Sequence, residues 1–147
     1  MKPLLFALTF ASIVPLAALA QAPAAPTAPA TEAKVQQIKP VTPDEAEKLT
    51  ASRKDIIVLD VRTPEEFEDG HIAGAKNLSF IEPDFEERLK EYEGKPVVVH
   101  CAAGNRSTKA VHIMKKHNFP ELYHLEAGIK GWKEAGKELV KSPKPKE

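Results

Sequence analysis

The sequence predicts an α/β fold: one domain over residues 35–140, with a mainly parallel central sheet flanked by helices on both faces. Three observations predict it. Ile56-Ile57-Val58-Leu59 and Val97-Val98-Val99 are short apolar runs rich in β-branched residues, too short for helices and suited to strands buried on both faces. Thr42-Pro43-Asp44-Glu45 and Thr63-Pro64-Glu65-Glu66 each carry a capping box with proline at the first helical position. Strand-like and helix-like segments alternate along the chain, the order that builds a parallel sheet with crossover helices.

Taken in order, the first capping box opens a helix at Pro43, and Ile56–Leu59 follows as a buried strand. The second box opens another helix at Pro64, with Gly70 placed where a helix stop is expected. Residues 83–92 are charged, with Phe85, Leu89 and Tyr92 at helical spacing, which reads as an amphipathic surface helix. Val97–Val99 is the second buried strand. Ser107 to Lys116 follows as a helix with Ala110, Val111, Ile113 and Met114 on its apolar side. Leu122–Leu125 reads as a strand and Gly128–Glu138 as a last helix around Trp132. There is no internal repeat.

The ends have a different character. Met1 and Lys2 precede an almost wholly apolar stretch, Pro3 to Leu19, and Ala18-Leu19-Ala20 offers small residues where a signal peptidase reads. Residues 1–20 therefore read as a secretory signal peptide, and the chain as a periplasmic protein. Pro15 interrupts the run, and its length falls short of the roughly 20 residues a spanning helix needs, so stable membrane insertion after processing is not expected. Residues 21–34 (QAPAAPTAPATEAK) read as an Ala/Pro-rich linker and residues 141–147 as a Lys/Pro tail, both spacers with little to bury.

Lysine and arginine number 21, as do aspartate and glutamate. There is no basic excess or long like-charge run to argue for nucleic acid. The chain holds one cysteine, so no internal disulfide is possible. Cys101 would be a free thiol in an oxidising compartment, either buried and inert or presented and reactive.

Its setting favours reactivity. Val-Val-Val-His-Cys-Ala-Ala-Gly-Asn-Arg-Ser places Cys101 at the carboxyl end of a buried strand, where open α/β sheets bind ligands. Gly104 permits backbone conformations that turn successive N–H groups inward around an anion. The following helix adds its free N–H groups and positive dipole end, and Arg106 a fixed charge. These features favour thiolate over thiol and make the cysteine a nucleophile.

Cys101-Ala-Ala-Gly104-Asn-Arg106-Ser107 resembles the six-residue active-site loop of rhodanese domains. Leu59-Asp60-Val61-Arg62-Thr63-Pro64-Glu65-Glu66-Phe67 through Gly70-His71-Ile72-Ala73-Gly74-Ala75-Lys76-Asn77-Leu78 is similar to the family's first signature. Leu125-Glu126-Ala127-Gly128-Ile129-Lys130-Gly131-Trp132 is similar to its C-terminal one, with Ala127 where a second glycine is common. With its export signal, the chain most resembles periplasmic single-domain rhodaneses of the phage-shock type. The resemblance implies a thiosulfate sulfurtransferase: Cys101 as the catalytic nucleophile, and Ala102, Ala103, Gly104, Asn105 and Arg106 as the substrate-binding loop. It implies a small-molecule sulfur donor and acceptor, a protein thiol as a possible acceptor, and no metal or organic cofactor.

Other residues carry weaker signals. Asp60 and Arg62 end the first strand on the same sheet edge as Cys101 and fit a buried ion pair better than catalysis. His71 belongs to a signature whose implied role is structural. His100 precedes the cysteine, but strand alternation points it to the other face. His112 and His117 are five apart, poor spacing for a shared metal. Trp132 fits the core. Two other activities compete. Cysteine-loop phosphatases and arsenate reductases have five residues between cysteine and arginine; here there are four, a tighter cradle. A non-catalytic binding module or persulfide carrier is the other; inactive members of the resembled family usually lack the cysteine, and this chain keeps it.

Overall fold

Thr42 and Thr63 cap their helices as the spacing predicts. In the computed structural model, which describes residues 37–142, each threonine hydroxyl accepts the amide three residues on, and the Glu45 and Glu66 carboxylates accept the threonine amides in return. The chain runs β1 (Ile38–Pro40), α1 (Pro43–Ser52), β2 (Ile57–Asp60), α2 (Pro64–Asp69), β3 (Lys76–Asn77) and α3 (Phe85–Leu89), which tightens into a 3₁₀ turn at Lys90–Tyr92. It continues through β4 (Val97–His100), α4 (Asn105–Met114), β5 (Leu122–His124) and α5 (Gly128–Glu134). The signal-peptide and linker segments, residues 1–34, and residues 143–147 of the tail lie outside the described residues. Among the described residues no helix is long and apolar enough to cross a membrane.

The five strands form one sheet in the order β1-β5-β4-β2-β3, every pair parallel. Alternate side chains feed two separate cores. Leu59, Val61, Val97, Val99 and Cys101 pack with Phe85, Leu89, Ala110 and Met114 on the α3/α4 face. Val58, Val98 and Leu125 pack with Ala46, Ile129 and Trp132 on the α1/α5 face. Because both faces are covered, Val97, Val98 and Val99 are all buried, which is why the strand is a continuous apolar run.

The structure departs from the sequence expectations at two strands and three helices. β1 and β3 carry no apolar run, since they are short edge strands, and β1 ends on Pro40, a residue that edges tolerate. The amphipathic helix of residues 83–92 starts at Phe85 and changes to the 3₁₀ turn at Lys90. Helix α4 starts at Asn105 rather than Ser107. Helix α5 stops at Glu134 rather than Glu138, because Gly136 turns left-handed at φ 73°. Beyond that turn Trp132 Nε1 donates to the Glu138 carbonyl, and His71 and Val140 exchange two backbone hydrogen bonds at 2.8 Å.

Candidate active site

Strand β4 delivers two adjacent side chains to opposite sides of the sheet, as alternation requires. Cys101 joins the α3/α4 core, while His100 lies across the sheet, its Nε2 3.9 Å from Asp60 Oδ2. The thiol is only 1% exposed. It sits at the floor of its loop, deeper than the sequence predicts, with Ser107 and the α4 core residues packed against it.

What surrounds the sulfur is polar. The Gly104 amide donates to Cys101 Sγ at 3.1 Å and the Ser107 hydroxyl at 3.4 Å. Burial pushes the thiol up. The Ser107 hydroxyl, with the backbone amides of Ser107, Ala103 and Arg106, more than offsets it, so the thiol lies below its usual pKa. The early start of α4 explains the supply of donors: amides in a first helical turn have no partner within the helix. The six-residue loop is thus three loop residues, Ala102–Gly104, and the opening of a helix. Gly104 makes the bend at φ 93°, where an added Cβ would meet the Glu126 carbonyl oxygen at 2.6 Å.

Helix α5 grips this loop from outside. The Ile129 and Lys130 amides donate to the carbonyls of Cys101 and Ala102, both at 2.9 Å. Gly128 lets the two backbones touch; it sits at φ 57°, and a Cβ there would meet the Cys101 and Ala102 carbonyl oxygens at 2.4 and 2.7 Å. Ala127 takes an ordinary helical conformation (φ −67°), so alanine in place of glycine leaves the turn unstrained. A Cβ at Gly131, however, would collide with the Ala127 methyl at 2.2 Å.

The Arg106 side chain makes no hydrogen bond to the sulfur. Its guanidinium forms a two-point pair with Glu66, 40 residues away, at 2.5 and 2.8 Å. The Arg106 side chain holds the Glu66 carboxyl down at about 2, and the same carboxylate closes the α2 capping box. One side chain therefore starts α2 and ties it to the loop. Of the two roles open to Arg106, bracing the loop and orienting a donor, the contacts here are those of a brace.

Asp60 and Arg62 form the buried pair expected from their position. Arg62 Nη2 lies 2.6 Å from Asp60 Oδ2 and also donates to the Gly70 carbonyl, fixing the turn after α2. Asp60 is 0% exposed, so Arg62→Met would strand a carboxylate in the core. A loss of roughly 3–5 kcal/mol is expected in urea unfolding; a change under about 1 kcal/mol would show that the pair does not hold the turn. His71 packs its ring on Phe67, 3.7 Å between centroids, a structural contact. Burial keeps His100 below the usual imidazole pKa, neutral and away from the thiol.

The structure brings Cys101, Gly104 and the amides of Ala103 and Arg106 together. Ala102 serves through its carbonyl, and Asn105, exposed, begins the helix. Sequence reasoning missed Glu66, Ser107 and His124. Ser107 closes the stretch that resembles the active-site loop, and a hydroxyl six residues beyond the cysteine is its signal. Glu66 was hidden inside a capping box, and His124, whose Nε2 is 2.8 Å from Ser107 Oγ, inside a strand.

A cysteine at the carboxyl end of a parallel strand, with a backbone amide and a hydroxyl donating to its sulfur, is the geometry of a cysteine-loop site. The chain belongs to the rhodanese-like family: residues 42–135 match the family model described as the rhodanese-like domain. It is 34% identical over 100 residues to the thiosulfate sulfurtransferase GlpE of Coxiella burnetii, spanning 65% of this chain and 87% of that one. It superposes on a rhodanese-related protein from Thermoplasma volcanium with TM-score 0.61 and 30% identity, covering 71% of this chain and 99% of the other. A polysulfide-sulfur transferase homodimer from Wolinella succinogenes gives TM-score 0.58 and 28% identity over 73% and 81% of the two chains.

Proposed function

We propose that this chain is an exported sulfurtransferase that moves sulfane sulfur from thiosulfate, or a donor of the same kind, to cyanide or a thiol through a persulfide on Cys101. The observation that carries this is the set of donors aimed at one buried sulfur. Thiolate and persulfide are both anions, and the same amides serve both. In the first step the Cys101 thiolate attacks the outer sulfur of thiosulfate. The S–S bond of the donor breaks, sulfite leaves with the electron pair, and the new S–S bond leaves a persulfide anion on Cys101. In the second, cyanide or a thiolate takes the outer sulfur and returns the cysteine thiolate. The loop backbone does the binding, with Ala102, Ala103 and Asn105 leaving room for small donors and Arg106 bracing the frame.

The chain has no second cysteine to resolve the persulfide, so the sulfur passes to another molecule, a small thiol or a protein thiol. The positively started apolar segment at residues 1–20 supports export to the periplasm. The four-residue spacing from Cys101 to Arg106, and the occupation of Arg106 by Glu66, favour sulfur over a phosphate dianion.

Intact mass spectrometry of the protein from a periplasmic extract tests all three parts. The mass should correspond to loss of residues 1–20, rise by one sulfur atom on exposure to thiosulfate, and return on treatment with cyanide. A protein that gains no sulfur, or that hydrolyses an aryl phosphate faster than it consumes thiosulfate, would overturn the enzymatic reading.

A further inference from the structure

Ser107 Oγ has three polar atoms within reach and only one proton to give: Cys101 Sγ at 3.4 Å, the Gly104 carbonyl at 2.9 Å and His124 Nε2 at 2.8 Å. The Gly104 carbonyl is already supplied, since the Thr108 amide donates to it at 2.8 Å and the Thr108 hydroxyl at 2.9 Å. Two lone pairs are then filled, and the Ser107 proton is not needed there. The remaining choice is between the sulfur and His124. An Nε2 without hydrogen would take the Ser107 proton for itself. An Nε2–H would instead donate into Ser107 Oγ and leave the hydroxyl proton for the sulfur.

We propose that His124 is a positioning residue, its Nε2–H fixing the Ser107 hydroxyl so that the hydroxyl proton rests on the Cys101 sulfur. Topology places it for this. His124 ends β5, beside β4, and its side chain points to the same face of the sheet as Cys101, while Tyr123 and Leu125 point to the other. It is 5% exposed, so the ring is largely screened from bulk water. The charged group facing it is Glu126, whose Oε1 lies 3.7 Å from Nδ1, too long for a hydrogen bond. Burial lowers the imidazole below its ordinary range against the opposing pull of Glu126, so at neutral pH the ring carries one proton. Glu126 draws that proton toward Nδ1 and Ser107 draws it toward Nε2. Ser107 Oγ, at 2.8 Å and buried, is the nearer acceptor for the ring proton, and we place the proton on Nε2. Below the imidazole pKa both nitrogens carry hydrogen and the donation to Ser107 persists.

The inference rests on Cys101 being the reactive group, but its test needs no sulfur donor and so stands apart from the sulfur-transfer experiment. The thiolate absorbs in the ultraviolet, and subtraction of a Cys101→Ser titration isolates it because the chain has one cysteine. His124→Leu should move the thiol midpoint up by roughly a few tenths of a pH unit, because the Ser107 hydroxyl keeps the sulfur as an acceptor but loses the donor that orients and polarises it. His124→Gln, whose amide can reach Ser107 Oγ, should return it close to the parent value. In a Ser107→Ala background the midpoint should already be raised, and His124→Leu should move it no further. An unchanged midpoint in His124→Leu would overturn the proposal, and so would a fall, the result expected if Nε2 were competing for the Ser107 proton. If His124→Leu does not fold, failure of Ser107→Ala to raise the midpoint decides against it equally.

Discussion

Replacing Cys101 with serine should abolish sulfur transfer, by on the order of 10³-fold or more, and barely disturb the fold. A hydroxyl in place of the thiol stays protonated at neutral pH, so the amides of Ala103, Arg106 and Ser107 would have no anion to hold. The structural cost is small because the new oxygen inherits the partners of the sulfur, the Gly104 amide and the Ser107 hydroxyl. About 1 kcal/mol is a fair scale for exchanging one buried, hydrogen-bonded group for another. Stopped-flow sulfite release and a urea melt measure the two halves. Residual turnover within tenfold of the parent would mean that the sulfur travels by some other group.

Gly128→Ala should act in the opposite manner, breaking the site through the backbone while leaving every reactive group in place. An added methyl would lie 2.4 Å from the Cys101 carbonyl oxygen and 2.7 Å from that of Ala102, and neither backbone atom is the tip of a flexible side chain. The left-handed conformation at this residue adds roughly 1–2 kcal/mol, and relieving the overlap adds about 1–3 kcal/mol more. The combined loss should be seen as a lowered urea midpoint. Relief requires α5 to back away from the loop, and the Ile129 and Lys130 amides go with it. Thiosulfate turnover should then fall by at least tenfold even where the variant remains folded. Parent-like turnover and stability together would show that the contact is loose.

The parts of this fold legible in the sequence are those whose cause is local. Two threonines and two glutamates specified where α1 and α2 begin, because a capping box is complete within four residues. Val97–Val99 announced a strand covered on both faces, since every side chain in it is apolar. The glycine-bearing stretch after Cys101 announced an anion cradle. The features that escaped depend on tertiary partners. Strand β3 is two polar residues paired with β2, and nothing in Lys76-Asn77 alone favours extended structure. The two extra residues at the start of α4, Asn105 and Arg106, follow contacts of the preceding amide with the sulfur and of Arg106 with Glu66. Glu66 and Arg106 meet across 40 residues, and His124 meets Ser107 across 17, distances over which spacing carries no signal. The depth of Cys101 also follows from packing, through Ser107 and the α4 face, and its sequence neighbours spoke only of reactivity.

The grip of α5 on the loop carbonyls has an electrostatic consequence. A trans peptide is rigid and planar, with its C=O and N–H pointing opposite ways. Pinning the Ala102 carbonyl outward on the Lys130 amide therefore holds the N–H of the same peptide, which belongs to Ala103, inward toward the sulfur. That dipole cannot swing round when the charge on the sulfur changes. The cage is preorganised, and the reorganisation energy water would demand as that charge changes is largely absent.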